Sequence, residues 1–238
     1  VRKIPVQSGG RIKPLDSLAR EYVLFETGSR KFQGWDPVDL LFSWLTAPQY
    51  WEEQPFIQVS REDVKRQIGL DVKRTRFSPR ELTEQSHLLQ YLEGLVGKPS
   101  ALQAAPTGQM NQKADPREQE LKRIVERLTT FRGIVSGTAW PVIPAQGVSW
   151  ELLAGESEEG QEIRSRFAEM VSAYADGDGQ RFVQQASLVR ASVESRIPNF
   201  SDRQERVVRS EVIYNTTHPF QWAWVFYLFA ALFWLTGS

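Results

Sequence analysis

The chain has 238 residues, of which 41% are hydrophobic and 24% are charged, and its 29 Lys and Arg residues balance its 29 Asp and Glu residues. This length suits one large domain or two small ones. Zero net charge argues against a general nucleic-acid binder, which normally carries a basic excess. The lack of cysteine excludes a disulfide framework, a thiolate metal site and a cysteine nucleophile.

The first motif, IPVQSGGRIKPLDSLARE, places Arg11 and Lys13 between a flexible glycine pair and a predicted helix start. Asp16 and Ser17 are interpreted as capping residues of that helix. Two interpretations of the cations are open. In the structural one, they pair with acids such as Glu21 or lie in water. In the functional one, the glycine backbone and both cations form an anion clamp for carboxylate or propionate groups.

Hydrophobic residues at helical spacing predict a mainly α body after this motif. A first helix is expected to end before Gly28. A second begins at Pro37 behind the N-cap Asp36, because proline is favoured at the first helical position. Two short strands are predicted at 55–60 and 72–77 from their β-branched and aromatic residues.

The middle of the chain is rich in Gly, Pro, Ala and Gln at 97–116, and we interpret this segment as an exposed flexible loop. An ordered extended loop at 136–155 is expected to pack its two tryptophans onto the body. The sequence DGDG favours the turn of a helical hairpin over a calcium loop, because the remaining ligand positions are lacking. Further helices are predicted from Ser78-Pro79, from Asp115-Pro116, and at 158–176, 179–196 and 201–215.

The end of the chain, FQWAWVFYLFAALFWLTGS, has Gln221 as the one polar side chain between Phe220 and Leu235. Hydrophobicity runs all round this helix, and aromatic residues lie near both of its ends. We therefore predict a transmembrane helix at 218–238, in preference to a buried core helix or an amphipathic interfacial one. Sixteen residues span roughly 24 Å, so a chain that continues past Ser238 is expected to complete the span.

Candidates for chemistry are few. His87 lies in the middle of a predicted helix, where a structural role is expected. His218 directly precedes the predicted span and could ligate haem from outside, sense pH, or lie at the interface without a partner. No metalloprotease, P-loop, nucleophile-elbow or dinucleotide-binding motif occurs. The sequence therefore indicates no catalytic residue and no metal site.

Three segments resemble parts of one family. VQSGGRIKPLDSLARE resembles the opening of the extracytoplasmic region of CcsA/ResC-type cytochrome c biogenesis proteins, the membrane subunits of system II cytochrome c synthases. GWDPVDLLFSWLTAPQYWEEQPFIQV is similar to the segment that follows in those proteins. RSEVIYNTTHPF resembles the Glu-x-x-Tyr-Asn element that leads into their next transmembrane helix. The resemblance covers roughly residues 4–60 and 205–235 and leaves the middle unanchored.

The resemblance implies a mainly α fold, with a soluble, helical extracytoplasmic domain at 1–217 that has two or three short strands, followed by one transmembrane helix at 218–238. It places the chain in the cytoplasmic membrane of a bacterium, with the domain on the periplasmic or outer face. The implied activity is presentation of haem, followed by its thioether attachment to the CxxCH motif of apocytochrome c. The implied partners are apocytochrome c, a ResB-like membrane partner or domain, and the lipid bilayer; no nucleic acid is expected.

The chain lacks the tryptophan-rich, histidine-flanked loop with which this family handles haem. The haem chemistry is therefore expected in a later part of the full-length protein, and this region is interpreted as a non-catalytic accessory or docking domain of a cytochrome c synthase. His218 is the candidate haem contact, and Arg11 and Lys13 are candidate partner or anion contacts. The alternative is a membrane-anchored, partner-binding domain of an unrelated membrane complex. No sequence feature supports a third possibility, a membrane-anchored hydrolase.

Overall fold

A computed structural model of the protein describes residues 1–85, 88, 115–145, 149–198, 200–217 and 219–236. Within these residues the fold is mainly helical, as predicted. The strands are β1 (Pro5–Ser8), β2 (Arg11–Pro14), β3 (Ile57–Gln58) and β4 (Arg76–Phe77). The helices are α1 (Leu15–Thr27), α2 (Pro37–Thr46), α3 (Pro48–Glu52), α4 (Glu62–Ile68), α5 (Pro79–Thr83), α6 (Pro116–Ser136), α7 (Gln161–Ala175), α8 (Gly179–Glu194), α9 (Asp202–Thr217) and α10 (Pro219–Thr236).

A β-hairpin opens the fold, where the sequence predicted only a turn. β1 and β2 pair antiparallel, with Ser8 opposite Arg11. The two residues between them, Gly9 and Gly10, have φ values of 61° and 74°. A two-residue hairpin turn of type I′ requires positive φ at both positions, which explains the glycine pair.

The predicted capping role of Asp16 and Ser17 is wrong, because both lie inside the first turn of α1 and are buried. Helix α1 needs no side-chain cap, since the N-terminal segment supplies backbone acceptors. The Leu15 amide donates to the Ile4 carbonyl at 2.8 Å, and the Asp16 amide donates to the Arg2 carbonyl at 3.1 Å. These bonds satisfy amides that a helix start leaves unpaired, and they free the two side chains for other contacts.

Helix α2 lies at the centre of the core. It begins as predicted, with the Asp36 side chain accepting from the Val38 amide. Phe42 and Trp44, two residues apart, point to roughly opposite sides of the helix. Phe42 contacts the rings of Trp140, Phe167, Tyr174 and Phe182, whereas Trp44 contacts Trp51, Phe56 and Phe131.

The remaining local predictions divide into three groups. Strands β3 and β4 pair antiparallel within the predicted ranges, and Trp140 and Trp150 are buried as expected. α7 and α8 form the predicted hairpin, in which the Asp178 side chain caps α8. The helix predicted from Ser78-Pro79 begins as expected with α5, Leu88 is again helical, and its later residues lie outside the described ranges. Most of the loop predicted at 97–116 lies outside the described residues.

The predicted transmembrane helix at 218–238 is wrong. In the structure this segment is α10, with 18 described helical residues. Among the residues that the structure describes, no helix is both long enough and apolar enough to cross a bilayer. α10 nevertheless exposes large side chains, among them Phe226 at 68%, Tyr227 at 77%, Phe233 at 83% and Trp234 at 76%.

The hairpin turn generates the first prediction. A Cβ at Gly10 would meet no atom within 4 Å, so a side chain there is opposed only by the backbone conformation. We expect Gly10→Ala to lower the free energy of unfolding by about 1–2 kcal/mol, the cost of the left-handed region for an ordinary residue. Gly10→Asn should cost less, because asparagine tolerates this region. Denaturant unfolding followed by tryptophan fluorescence measures both, and equal stabilities for Ala and Gly would contradict the assigned turn.

Candidate functional site

A polar contact joins the N-terminal hairpin to α9. α9 packs against β2 and α1, which brings Glu211 to Arg11 although they are 200 residues apart. Arg11 Nη1 donates to Glu211 Oε2 at 2.8 Å, and Nη2 donates to Oε1 at 3.0 Å. Such a two-pronged pair fixes orientation as well as distance.

Two neighbours extend this contact. The Ser17 hydroxyl donates to Glu211 Oε1 at 2.6 Å. Asn215 Nδ2 donates to Ser17 Oγ at 2.9 Å and to Asp16 Oδ2 at 3.1 Å. Glu211 and Asn215 lie four residues apart and therefore on one face of α9. We call the five residues Arg11, Asp16, Ser17, Glu211 and Asn215 the terminal junction.

Asp16 connects the terminal junction to the rest of the fold. Its side chain is fully buried, and it accepts hydrogen bonds from Arg2 and, at 2.8 Å, from Arg20 Nε as well as from Asn215. The other guanidinium nitrogen of Arg2 contacts Asp36, the N-cap of α2. The junction therefore joins the first residues of the chain to α1, α2 and α9.

Lys13 faces a different acid. Its Nζ lies 2.7 Å and 2.8 Å from the two carboxylate oxygens of Glu21. The Lys13 side chain is only 6% exposed, whereas that of Arg11 is 53% exposed. Both cations are thus paired with the chain's own carboxylates, which is the arrangement that the structural interpretation describes, and neither faces an open clamp.

Hydrogen bonds lower the pKa of two acids, Glu211 in the junction and Asp36, which Arg2 connects to it. Burial acts to raise the pKa of Glu211, but the hydrogen bonds from Arg11 and Ser17 outweigh it and hold that pKa below its usual value. The pKa of Asp36 is lowered in the same way, because its bonds to Arg2 outweigh the effect of burial. At neutral pH both carboxylates are therefore charged and able to hold their arginines.

Both histidines, His87 and His218, lie outside the described residues, so the structure does not test the predicted haem contact. Met170, a residue type that can ligate haem iron, is fully buried in the core. Within the described ranges no group of three or more His, Asp or Glu side chains could hold a metal ion. The arrangement offers positioning and recognition, and we derive no chemical step from it.

Sequence reasoning missed four members of the terminal junction. Asp16 and Ser17 are assigned a capping role in the sequence analysis. Glu211 and Asn215 are given no role there beyond their place in the motif RSEVIYNTTHPF. The available signal was the spacing of Glu211 and Asn215, because residues four apart on a helix share a face. Nothing in that spacing identifies Arg11 as the partner.

Comparisons of the chain with protein-family models and with curated proteins find no match. The resemblance to CcsA/ResC-type proteins therefore depends on the three motifs alone. Two of these motifs, the opening one with Arg11 and the later one with Glu211, are the segments that meet in the terminal junction.

The junction generates a double-mutant cycle on Arg11→Ala and Glu211→Ala. We expect a coupling energy of about 1 kcal/mol, because the pair is two-pronged and partly screened by solvent. The matched control is the exposed pair of Arg66 and Glu62, whose single contact of 3.1 Å should couple by about 0.3 kcal/mol. Denaturant unfolding of the four chains in each cycle gives both energies. A coupling energy no larger than that of the control pair would contradict the prediction that the Arg11–Glu211 contact stabilises the position of α9.

A further prediction concerns haem. We expect haemin to bind the 238-residue chain weakly or not at all, because stable binding needs preorganised axial ligands and an apolar pocket. The full-length protein is expected to carry haem, and His218→Ala should leave its absorption spectrum nearly unchanged. Titration with haemin, followed by absorption, tests the fragment. A stoichiometric spectrum with two axial ligands would contradict the prediction and identify His87 and His218 as the residues to mutate.

Proposed function

We propose that this chain is an accessory docking domain of a cytochrome c assembly protein on the outer face of a bacterial cytoplasmic membrane. There it helps to present haem and apocytochrome c for covalent attachment and performs no chemistry itself. One observation carries the proposal. The segments around Arg11 and Glu211, which carry the resemblance, contact each other across 200 residues of chain.

The docking surface in this proposal is α10. The terminal junction fixes one face of α9, and α10 follows α9 in the chain. Most of the described side chains of α10 are exposed, and many of them are aromatic. Exposed apolar surface of this kind marks interaction sites, and aromatic side chains dominate the energetics of such sites. The occupant that we propose is a set of apolar helices from a ResB-like partner or domain.

A specific observation also favours the alternative, a partner-binding domain of an unrelated membrane complex. Trp222, Trp224 and Trp234 are exposed by 58%, 59% and 76%. Exposed tryptophans are the surface that this alternative requires, and they carry no information about haem. The two functions differ in their partner, so an assay of haem attachment separates them.

The test is haem attachment to a reporter apocytochrome c in a strain whose synthase is the full-length protein that contains this chain. We expect Glu211→Ala/Asn215→Ala to reduce haem-stained reporter several-fold, because α9 loses its polar contacts with Ser17 and Arg11. Staining is normalised to the amount of synthase on an immunoblot. The control, Glu62→Ala/Arg66→Ala, removes an exposed pair of side chains four residues apart on another helix and should leave attachment unchanged.

Two outcomes count against the proposal. Normal haem attachment by the Glu211→Ala/Asn215→Ala variant, at normal abundance, would show that attachment does not need the terminal junction. Failure of the unaltered full-length protein to support attachment would favour the unrelated complex.

A further inference from the structure

A cleft of about 520 Å³ lies away from the terminal junction, between the loop after α1 and the segment that ends in β4. Four of its eight lining residues are cations, namely Lys31, Lys73, Arg74 and Arg76. The chain as a whole has no net charge, so this concentration of positive charge is local. A cleft lined by one sign of charge focuses the electric field and raises the local concentration of counter-ions.

Arg74 has such a partner. Its guanidinium contacts both carboxylate oxygens of Glu81, and Arg74 Cζ lies 4.8 Å from the ring centroid of Phe77. The pair raises the pKa of Arg74 and is accompanied by a weaker effect of the Asp71 charge. The charge of Arg74 is therefore largely compensated by Glu81. Arg74 lines the cleft but attracts an anionic ligand only weakly.

Arg76 is positioned without being neutralised. Its Nε donates to the Thr27 carbonyl at 3.1 Å, and its Nη2 donates to the Ser29 hydroxyl at 2.9 Å. Its Cζ lies 5.6 Å from the ring centroid of Phe32. All three neighbours are uncharged, and two of the five guanidinium hydrogens are used by the hydrogen bonds. The side chain is thus oriented in advance, while its charge and remaining donors stay available.

The two lysines are exposed, and neither forms an ion pair with any residue that the structure describes. Together with Arg76 they give the cleft three uncompensated positive charges. The lysine side chains are long and flexible, so they can adjust to a ligand, whereas Arg76 is fixed.

The loop that lines the cleft also contains the one non-glycine residue of the described chain with positive φ, Gln33 at 49°. This conformation costs an ordinary residue roughly 1–2 kcal/mol. Strained backbone of this kind occurs preferentially at ligand clamps and active sites. The strain is a second observation, independent of the charges, and it lies at the same cleft.

We propose that this cleft binds a small ligand that carries phosphate groups. Lysine binds phosphate as a point charge, and the planar guanidinium of arginine matches the spacing of two phosphate oxygens. The volume lies in the range of small-molecule sites, roughly 300–1,000 Å³. Three positive charges match a diphosphate or polyphosphate better than one carboxylate. The site is independent of the proposed docking function, and its phosphate can come from a free compound or from a phospholipid headgroup.

Calorimetric titration of the 238-residue chain with inorganic pyrophosphate at low salt tests the site. We expect binding at one site per chain, weakened about tenfold in Lys31→Ala/Lys73→Ala because two close charges are lost. The matched control is Lys3→Ala/Lys122→Ala, which removes the same charge elsewhere and should bind as the unaltered chain does. Circular dichroism checks that each variant is folded. Arg76→Gln provides a second variant within the cleft and should also weaken binding.

No binding at millimolar pyrophosphate, or equal weakening by the two lysine pairs, would overturn the proposal. The source of the phosphate is tested by competition with vesicles of anionic phospholipid. Vesicles that displace pyrophosphate identify a headgroup as the ligand, and vesicles that leave it bound identify a free phosphate compound. Both results support the site, and neither bears on haem attachment, so this test and that of the docking function fail separately.

Discussion

The burial of one carboxylate, that of Asp16, determines how the ends of this protein are arranged. A charged group removed from water is stable only where hydrogen-bond donors and opposite charges replace the water. Arg2, Arg20 and Asn215 supply those donors from the start of the chain, from α1 and from α9. Because each donor belongs to a different segment, one buried charge fixes three segments at once. Arg2 also contacts Asp36, the N-cap of α2. The buried carboxylate is therefore connected to the helix whose aromatic residues lie at the centre of the core.

A second buried acid on the same helix is accommodated in the opposite way. Glu26 is fully buried, and neither of its carboxylate oxygens has a hydrogen-bond partner among the described residues. Burial raises its pKa well above the usual value, and the opposing charge of Arg127 does not offset this effect. Arg127 gives its hydrogen bonds to the carbonyls of Phe25 and Gln58 instead. Helix α1 thus surrounds Asp16 with hydrogen-bond donors and leaves Glu26 in an environment that disfavours its charged form, so the two ends of α1 differ in their electrostatics.

The sequence predicted those parts of the fold that local chemistry determines. Asp36-Pro37 and the DGDG turn are such cases, because a cap or a turn acts on residues only a few positions away. The opening hairpin was missed because its short strands each contain a proline, which weakens a strand signal. The site was harder still, since the partner of Arg11 lies 200 residues away and no local pattern connects them. The transmembrane prediction depended on apolar composition and on an expected continuation of the helix, and no helix of the described residues combines the length and apolarity that a bilayer requires.

The terminal junction also imposes an order on the folding of a newly made chain. Ribosomes add roughly 5–20 residues per second, so Arg11 and Asp16 exist for about 10–40 s before Glu211 and Asn215 are made. During that interval Asp16 can accept hydrogen bonds from Arg2 and Arg20, because both of these residues lie near it in the sequence and have already been made. The aromatic core around α2 draws on residues up to Phe182 and closes without α9, which buries only Val208 and Val212. Because α10 follows α9, its aromatic residues are made after every residue of the core around α2.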